Sequence, residues 1–261
     1  MNILVGADPE FFLEKENKIV ASQPYLPGSK FEPYAVAGGG SVHRDNVMGE
    51  FGILPATSED EFVHNISVTV NAIKKLIKPN DLHIKWLPHV YMDEEQLKHV
   101  EAWTFGCLPD RDCWERDNSQ SADEDTVGTL RCAGGHVHLG FNFKGPSDKV
   151  RAARACDIHL GLGSVLFDND CVRRKTYGRA GRYRKKSYGI EYRTLSNAWL
   201  QDEKLIRWVY RGAVKAVTVR EGLDRRFGLT PATNIINAIN YGDKKEAVKL
   251  MKHFDAEFPP C

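Results

Sequence analysis

The chain has 261 residues, and its 36 lysines and arginines against 35 aspartates and glutamates give a formal net charge of +1. Hydrophobic residues make up 42% and charged residues 27%, which excludes general disorder. A net charge near zero argues against a bulk nucleic-acid or membrane binder, because such proteins usually carry a basic excess. Because there is no internal repeat and no linker-like stretch, we expect a single domain over 1–261.

The charges are unevenly distributed along the chain. Nine basic residues and one acidic residue lie between Arg173 and Arg193, whereas Asp110 to Asp125 holds seven acidic and two basic residues. No apolar run reaches the roughly 18–20 residues of a membrane span, and the acidic N-terminal sequence is unlike a signal peptide. The six scattered cysteines are expected to be reduced thiols of a cytosolic protein.

The first part of the chain predicts strands and long loops. Alternating and then apolar residues predict a strand over 2–13 that kinks at Pro9, and a second strand over 18–21. Prolines and a glycine run predict a long loop over 24–40, followed by an extended segment over 41–54.

The rest of the chain mixes helices with strands. A capping box of Ser58 and Glu61 predicts a helix that ends near Lys78. The elements predicted next are a strand over 83–92, a short polar helix over 93–101, and a structured loop or lid over 104–129. They are followed by a strand over 130–143, a helix capped by Ser147 that runs to about 167, a strand over 187–195, an amphipathic helix over 201–226, and short helices over 231–238 and 243–253. This order indicates an α+β domain around a mainly antiparallel sheet.

Two of the predicted strand segments carry acidic residues. Asp8 and Glu10 stand at i and i+2, and therefore on one strand face, where a divalent cation usually relieves the repulsion between two carboxylates. The alternative is an exposed pair at a strand end. Asp45 and Glu50 are embedded in otherwise apolar strand sequence, which a solvated loop would not require.

Two later strands carry further polar pairs. His136 and His138 share a face, an arrangement typical of metal ligands, with a structural hydrogen-bonded pair as the alternative. Glu191 and Arg193 also share a face, so that a carboxylate could hold a metal beside a guanidinium that binds phosphate. More donors precede them in a glycine-punctuated loop: Arg173, Arg174, Arg179, Arg182 and Arg184. A solvated basic loop or a nucleic-acid patch is the alternative for this segment.

These groups favour one kind of chemistry when they are taken together. The sequence has no Walker A, GxGxxG, nucleophile-elbow or kinase catalytic-loop motif. Carboxylates and a histidine would hold two or three Mg²⁺ ions, the ions would hold a triphosphate, and arginines would neutralise the charge that moves during phosphoryl transfer.

Five ordered segments resemble a known family: GADPEFFL, DNVMGEFGILPA, FGCLPD, AGGHVHLGF and GIEYRTLSNAWL. They are similar to the phage-type carboxylate–amine ligases (COOH–NH2 ligase, type 2) of the glutamine-synthetase-like amidoligases. The resemblance covers about 4–200 and leaves a C-terminal helical part over about 201–261. It implies a glutamine-synthetase-like α+β catalytic domain whose mainly antiparallel sheet forms a funnel-shaped site with flanking helices.

The resemblance also implies an activity and roles for individual residues. The activity is ATP- and Mg²⁺-dependent joining of a carboxylate to an amine through an acyl phosphate, with release of ADP and phosphate and with Mn²⁺ as a substitute metal. The implied metal ligands are Asp8, Glu10, Glu50, His136 and Glu191. The implied nucleotide and phosphate contacts are His138, Arg179, Arg182, Arg184 and Arg193. The implied catalytic groups are Glu50, Asp45, Arg193 and Arg182. Asp45 either binds metal or helps to bind the amine, and both Asp45 and Glu50 are candidates for the general base.

The sequence departs from the family at two places, and other functions stay open. Glutamine synthetases have Glu-x-Glu where this chain has Asp8-Pro9-Glu10, and the sequence after FGCLPD is unusually acidic, which suits a lid over a cationic acceptor. The alternatives are a guanidino-kinase-like phosphotransferase, a metal-dependent hydrolase, and a nucleic-acid or virion-associated binder that uses 173–186. The expected partners are a small-molecule, peptide or protein carboxylate and an amine donor, without a membrane or nucleic acid. The expected location is the cytoplasm, that of the host if the chain is phage-encoded.

Overall fold

The computed structural model describes residues 2–103, 110–115, 120–121, 128–223 and 231–260. Fourteen strands lie within these residues. The first eight are β1 (Leu4–Ala7), β2 (Glu10–Lys15), β3 (Lys18–Val20), β4 (Tyr34–Ala35), β5 (Ser41–Asp45), β6 (Met48–Gly52), β7 (His83–Lys85) and β8 (His89–Tyr91). The others are β9 (Asp110–Asp112), β10 (Gln120–Ser121), β11 (Leu130–Cys132), β12 (Val137–Gly140), β13 (Arg182–Lys186) and β14 (Gly189–Tyr192).

The strands of the described ranges form two larger sheets and one pair. A central sheet has the order β1-β12-β14-β13-β9-β10, and a second sheet has the order β3-β2-β6-β5-β4, with β7 also paired to β2. Strands β8 and β11 form the separate pair. Every one of these pairings is antiparallel, and the α+β class with mainly antiparallel sheets is therefore confirmed.

The chain passes from the central sheet to the second sheet at Asp8 and Pro9. Strand β1 ends at Ala7 and β2 begins at Glu10, as the predicted kink requires. Proline has no backbone N–H to donate to a ladder, so strand pairing is interrupted there. The backbone nitrogens on either side still bond the same segment, Asp8 N to the carbonyl of His136 and Glu10 N to the carbonyl of Gly134. Both sheets consequently meet around the residues that precede β12.

Helices pack against one another, and two of them pack against the central sheet. They are α1 (Glu59–Ile77), α2 (Pro146–Cys156), α3 (Leu162–Phe167), α4 (Glu203–Val219), α5 (Ala232–Asn240) and α6 (Lys244–Phe254). Helix α2 contacts β13 and β14, and α4 contacts β1 and β12. The apolar faces of these helices and strands form one large core that includes Val137, Ile190, Trp199 and Trp208. None of the helices in the described ranges is both long and apolar enough to cross a membrane.

Several predicted strands are divided in the structure. The extended segment over 41–54 is the hairpin of β5 and β6, which turns at Asn46 with a φ of 57°. The predicted strand over 83–92 is broken between β7 and β8, where Pro88 cannot donate to a ladder. The predicted strand over 130–143 is broken between β11 and β12, because Gly134 and Gly135 lead the chain from one pairing partner to another.

Other predictions need correction. The basic segment expected as a loop contains β13, and β4 lies in the loop predicted over 24–40. The region predicted as a loop over 104–129 contains β9 and β10, while 104–109, 116–119 and 122–127 lie outside the described residues. The predicted polar helix over 93–101 consists of two short 3-10 helices. Helix α2 is capped by Gly145 instead of Ser147, since Pro146 at the first position already has the φ that a helix start requires.

The C-terminal helices follow the prediction closely. A π-helical turn over Asp157–Gly161 joins α2 to α3 without a break. The helix predicted to run to about 167 is therefore present as one continuous helical segment. Helix α4 ends at Val219 and is followed by a 3-10 turn over Arg220–Gly222, somewhat short of the predicted 226. Residues 224–230 lie outside the described part of the chain.

The predicted N-cap of α1 is confirmed and gives a first testable prediction. Ser58 Oγ accepts a hydrogen bond from the Glu61 backbone N at 3.2 Å. Ser58→Ala removes this acceptor, so we expect the free energy of unfolding to fall by about 1 kcal/mol, measured by urea denaturation. Ser67→Ala on the exposed face of the same helix is the matched control, and an equal loss in both variants would contradict the capping role.

Candidate active site

Three predicted metal ligands meet at the edge of the central sheet. One ligand atom each from Asp8, His136 and Glu191 lie within 4.8 Å of one another, and these residues are called the first cluster below. His136 Nδ1 is 3.6 Å from Asp8 Oδ1 and 3.8 Å from Glu191 Oε1. His138 Nε2 lies 2.8 Å from Asp8 Oδ2, and the strand register places His138 directly opposite Glu191. Adjacent antiparallel strands therefore bring together groups that are far apart in the sequence.

Three more acids meet in the second sheet. Ligand atoms of Glu10, Asp45 and Glu50, the second cluster, also lie within 4.8 Å of one another. Glu10 of β2 stands opposite Glu50 of β6, and His43 of β5 stands opposite Glu50 on its other side. The His43 imidazole, whose Nε2 is 3.8 Å from Glu50 Oε2, was missed by the sequence interpretation. Its position two residues before Asp45 on the same strand was the available signal.

The structure divides the predicted metal ligands between the two clusters. Asp8 and Glu10 were predicted to share one strand face, but each belongs to a different cluster because Pro9 ends the strand between them. Carboxylate oxygens with one imidazole suit hard divalent cations such as Mg²⁺ or Mn²⁺. The donor sets of both clusters therefore fit the expected metals.

Cationic side chains surround the first cluster on the β13 and β14 side. Glu191 is contacted by Arg193 Nη1 at 2.6 Å, Lys186 Nζ at 2.7 Å and Arg184 Nη1 at 3.3 Å. Arg184 and Arg193 also reach Asp110, each through Nε, at 3.0 and 2.9 Å. Lys186 and Asp110 are additions to the predicted site. The alternation of basic residues at 182, 184 and 186 was the signal for Lys186.

The remaining predicted arginines, Arg182 and Arg179, lie near Asp112. Arg182 is buried on β13 opposite Asp112, and the Thr194 hydroxyl donates to the Arg179 carbonyl. Burial raises the pKa of Asp112, while the charges of Arg182 and Arg179 lower it, so both arginines face this acid. Their roles in phosphate binding stay predictions.

Arg173 and Arg174 hold the fold in place. Arg173 donates to the backbone carbonyls of Thr194 and Arg193 at 2.7 and 3.0 Å. Arg174 donates to Ser164 Oγ at 3.1 Å and lies 3.4 Å from Asp168 Oδ2. Both guanidinium groups are buried, so these contacts fix the loop that precedes β13.

The carboxylates of the two clusters differ in their electrostatics. Burial, together with the charge of Asp45, raises the pKa of Glu10 to about 7. Burial, together with the charges of Asp8 and Asp45, raises the pKa of Glu50 well above its usual range. Burial would also raise the pKa of Glu191, but the charge of Arg193 outweighs it and lowers this pKa to about 2. The first cluster is thus compensated by cationic side chains, whereas burial, together with repulsion between carboxylates, dominates in the second.

The histidines have opposite charge preferences. Burial and the charge of Arg193 lower the pKa of His136 to about 3, so its imidazole is neutral, as a metal ligand requires. Burial would lower the pKa of His138 as well, but Asp8 outweighs it and the pKa of His138 is raised. Although burial alone would raise the pKa of Asp8, both histidines hold it well below its usual range.

One tyrosine that sequence reasoning did not identify connects the clusters. Tyr177 Oη donates to Glu10 Oε1 at 3.0 Å, lies 3.0 Å from His136 Nε2 and accepts from Arg193 Nη2 at 2.8 Å. Its position in the basic segment between Arg174 and β13 carried no signal in the sequence alone. This hydroxyl group therefore lies between a member of the first cluster and a member of the second.

The two residues before His136 are glycines because other atoms lie too close to their backbone for a Cβ. A Cβ at Gly135 would lie 2.1 Å from the Ser196 carbonyl oxygen and 2.4 Å from Trp199 Nε1. We expect Gly135→Ala to lower the free energy of unfolding by about 1–3 kcal/mol, because backbone must move to accommodate it. The measurement is urea denaturation, and Gly222→Ala, where no atom lies within 4 Å of the added Cβ, is the control. Equal stability of the two variants would contradict the packing argument.

An apolar cavity of about 420 Å³ opens beside the first cluster. It is lined by residues that include Leu4, Ala7, Ile53, Pro55 and Tyr188, with Asp8 and His138 at one side. The Tyr188 hydroxyl contacts His138 Nδ1, so a polar end of the cavity adjoins its apolar walls.

Comparison with known proteins identifies a family. A protein-family model described as "Phage phiEco32-like COOH.NH2 ligase-type 2" matches residues 129–258. The chain is also similar to a solved structure named "Apo GmaS without ligand", with a TM-score of 0.45 and 12% identity over 97% of this chain and 68% of that one. A second, "GmaS/ADP complex-Conformation 1", has a TM-score of 0.41 and 11% identity over 96% of this chain and 68% of that one.

No curated protein sequence matches the chain. The residues matched by the family model contain His136, His138, Glu191, Arg193 and the whole of β13, whereas Asp8 and the second cluster lie before them. The site is thus assembled from the matched region and from strands that precede it. Through residues 129–258, the chain belongs to the phage phiEco32-like COOH–NH2 ligase type 2 family.

Proposed function

We propose that the chain is an ATP- and Mg²⁺-dependent ligase that joins a carboxylate to an amine through an acyl phosphate, with release of ADP and phosphate. The observation that carries this proposal is the pair of adjacent metal-ligand clusters beside the basic strand β13. Direct amide formation would require hydroxide to leave, whereas an acyl phosphate offers a much better leaving group. The family match supports the ligase class of the reaction.

The two clusters would hold the divalent cations. Asp8, His136 and Glu191 would bind one, and the second cluster would bind another through Glu10 and Glu50, with Asp45 as a ligand or part of the amine site. Mg²⁺ bound there would neutralise and orient the triphosphate. Glu50 and Asp45 are also the candidates for taking a proton from the incoming ammonium group.

The basic side chains would act on the transferred phosphoryl group. Arg184 and Lys186 extend from β13 and contact Glu191. They would donate hydrogen bonds to the phosphate oxygens as negative charge builds up on those oxygens. Arg193 is bonded to Asp110, Glu191 and Tyr177, so it positions the carboxylates and adds its charge to the same region. Arg179 and Arg182 are proposed as further phosphate contacts.

The nucleoside would occupy the apolar cavity beside His138. The cavity volume of about 420 Å³ and its aliphatic lining suit a planar base, since ligand pockets are mostly apolar with few polar groups. His138 and Tyr188 lie between this cavity and the first cluster, where the phosphates would begin. We propose that the enzyme acts in the cytoplasm, because ATP is the proposed co-substrate and because the cysteines within the described residues are free thiols. These are Cys113, Cys132, Cys156 and Cys171.

The test is ADP release with Mg²⁺ over a panel of small, peptide and protein carboxylates combined with amines. A productive pair should release ADP and yield a product whose mass equals acid plus amine minus water. Chelation of the metal should abolish both signals. Absence of ADP for every pair would contradict the proposal, and a phosphorylated product without an amide would support the guanidino-kinase-like alternative.

A further inference from the structure

The Tyr177 hydroxyl makes three polar contacts whose directions can be assigned. The side chain is buried, and its ring lies between two guanidinium groups, with Arg173 and Arg193 carbons 4.9 and 5.0 Å from the ring centroid. Its oxygen contacts Glu10, His136 and Arg193. The ring is thus fixed by its surroundings, and the hydroxyl group can only rotate its hydrogen.

Two of the three contacts determine the third. A hydroxyl group offers one hydrogen and two lone pairs. Arg193 only donates, so it occupies one lone pair, and the Glu10 carboxylate, in the ionised form that could bind a cation, only accepts, so it takes the hydrogen. The remaining lone pair faces His136 Nε2, which can pair with it by donating a hydrogen.

This assignment leaves His136 Nδ1 without a hydrogen. Nδ1 is the atom that faces Asp8 at 3.6 Å and Glu191 at 3.8 Å in the first cluster. An independent contact agrees, because Arg193 Nη1 lies 3.4 Å from Nδ1 and a guanidinium group can only donate to it. A histidine that binds metal through one nitrogen is usually held by a hydrogen bond at the other.

We propose that Tyr177 is a positioning residue that holds His136 in the Nε2–H tautomer and links the first cluster to Glu10 of the second. The inference rests on the proposed function in that both clusters bind divalent cations. Loss of the hydroxyl group releases the imidazole to take either tautomer, and it also removes a donor from Glu10. Both effects weaken metal binding.

The first experiment measures Mn²⁺ binding to the full chain by electron paramagnetic resonance. Tyr177→Phe is expected to weaken Mn²⁺ binding about 10–100-fold, as loss of a partner to a metal-binding histidine usually does. Tyr192→Phe is the matched control: it removes a buried hydroxyl group that donates to Asp157 at 2.7 Å on the opposite face of β14, and it should keep the wild-type affinity.

A further variant separates this inference from the proposed function. If His136→Ala and wild type bind Mn²⁺ equally, the first cluster is not a metal site and the proposed function loses its support. If His136→Ala weakens binding and Tyr177→Phe does not, the positioning role alone is overturned. Thermal unfolding of each variant shows whether it is folded.

A second measurement requires neither metal nor a variant of Tyr177. In the metal-free chain labelled with ¹⁵N-histidine, at a pH well above the pKa of about 7 of Glu10, nuclear magnetic resonance should show His136 protonated at Nε2, the signal being assigned by its loss in His136→Ala. A hydrogen on Nδ1 of His136 in the wild type would overturn the proposal. Tyr177→Phe should shift the tautomer populations, whereas Tyr192→Phe should leave them unchanged.

Discussion

Glu191→Gln is expected to lower the rate of ADP release by about 1000-fold, the upper range for the loss of one charge-stabilising group in an active site. Glu191 belongs to the first cluster and is the shared acceptor of Arg184, Lys186 and Arg193. Glutamine keeps the shape but has no charge, so it binds a divalent cation weakly. The rate is measured with saturating Mg²⁺, and circular dichroism checks the fold.

Glu14→Gln is the matched control for this substitution. Glu14 lies on β2 and pairs with Lys85 at 2.9 Å, away from both clusters. It should retain the wild-type rate. The fold of Glu191→Gln should also persist, because Arg184 and Arg193 keep Asp110 as a partner. A Glu191→Gln protein that releases ADP at the wild-type rate, with unchanged Mg²⁺ dependence, would remove Glu191 from the site.

Arg193→Met is expected to lower the free energy of unfolding by about 3–5 kcal/mol, as the loss of one partner of a buried ion pair typically does. The guanidinium group is 2% exposed and donates to Asp110, Glu191 and Tyr177. Methionine fills similar space but leaves two buried acids with fewer donors. Urea denaturation measures the loss, and ADP release should disappear as well.

The control and the pH dependence make this second prediction specific. Arg207→Met removes a partly exposed surface arginine that pairs with Asp60 and Glu203, and it should lower the free energy of unfolding by less than about 1 kcal/mol. Since the pKa of Glu191 is lowered from 4.5 to about 2, the ion pair contributes fully above pH 4.5 and is lost as the pH falls towards 2. The difference in the free energy of unfolding between wild type and Arg193→Met should become smaller over that pH range. A constant difference would contradict the ion-pair explanation.

The strand patterns in the sequence predicted which polar residues would lie close together, but not that they would form two separate clusters. The period of two placed His136 beside His138 and Glu191 beside Arg193, and cross-strand pairing in the structure completes these groups. The same rule placed Asp8 and Glu10 together, because it assumes an uninterrupted strand. The residues before and after Pro9 belong to different sheets because they pair with different, distant strands. A local sequence pattern carries no information about such pairing.

Strand β13 could not be recognised for a related reason. Its sequence, RYRKK, has the charge density of a solvated loop, and only Tyr183 is typical of a core strand. Its basic side chains are tolerated because Asp110 and Glu191 neutralise them, and these acids come from other parts of the chain. The acidic lid predicted within 104–129 is described only at 110–115, 120–121 and 128–129, and its role stays a prediction.

The passage of the chain through Pro9 has a geometric consequence for the cations. Asp8 and Glu10 are two residues apart, so their Cα atoms are separated by at most about 7 Å of extended backbone. Each supplies a carboxylate to a different cluster. The distance between the two proposed ions would therefore be limited by covalent bonds as well as by packing between the sheets. Movements of either sheet during a reaction cycle can tilt the ligands, but they cannot separate the two Cα atoms beyond this distance.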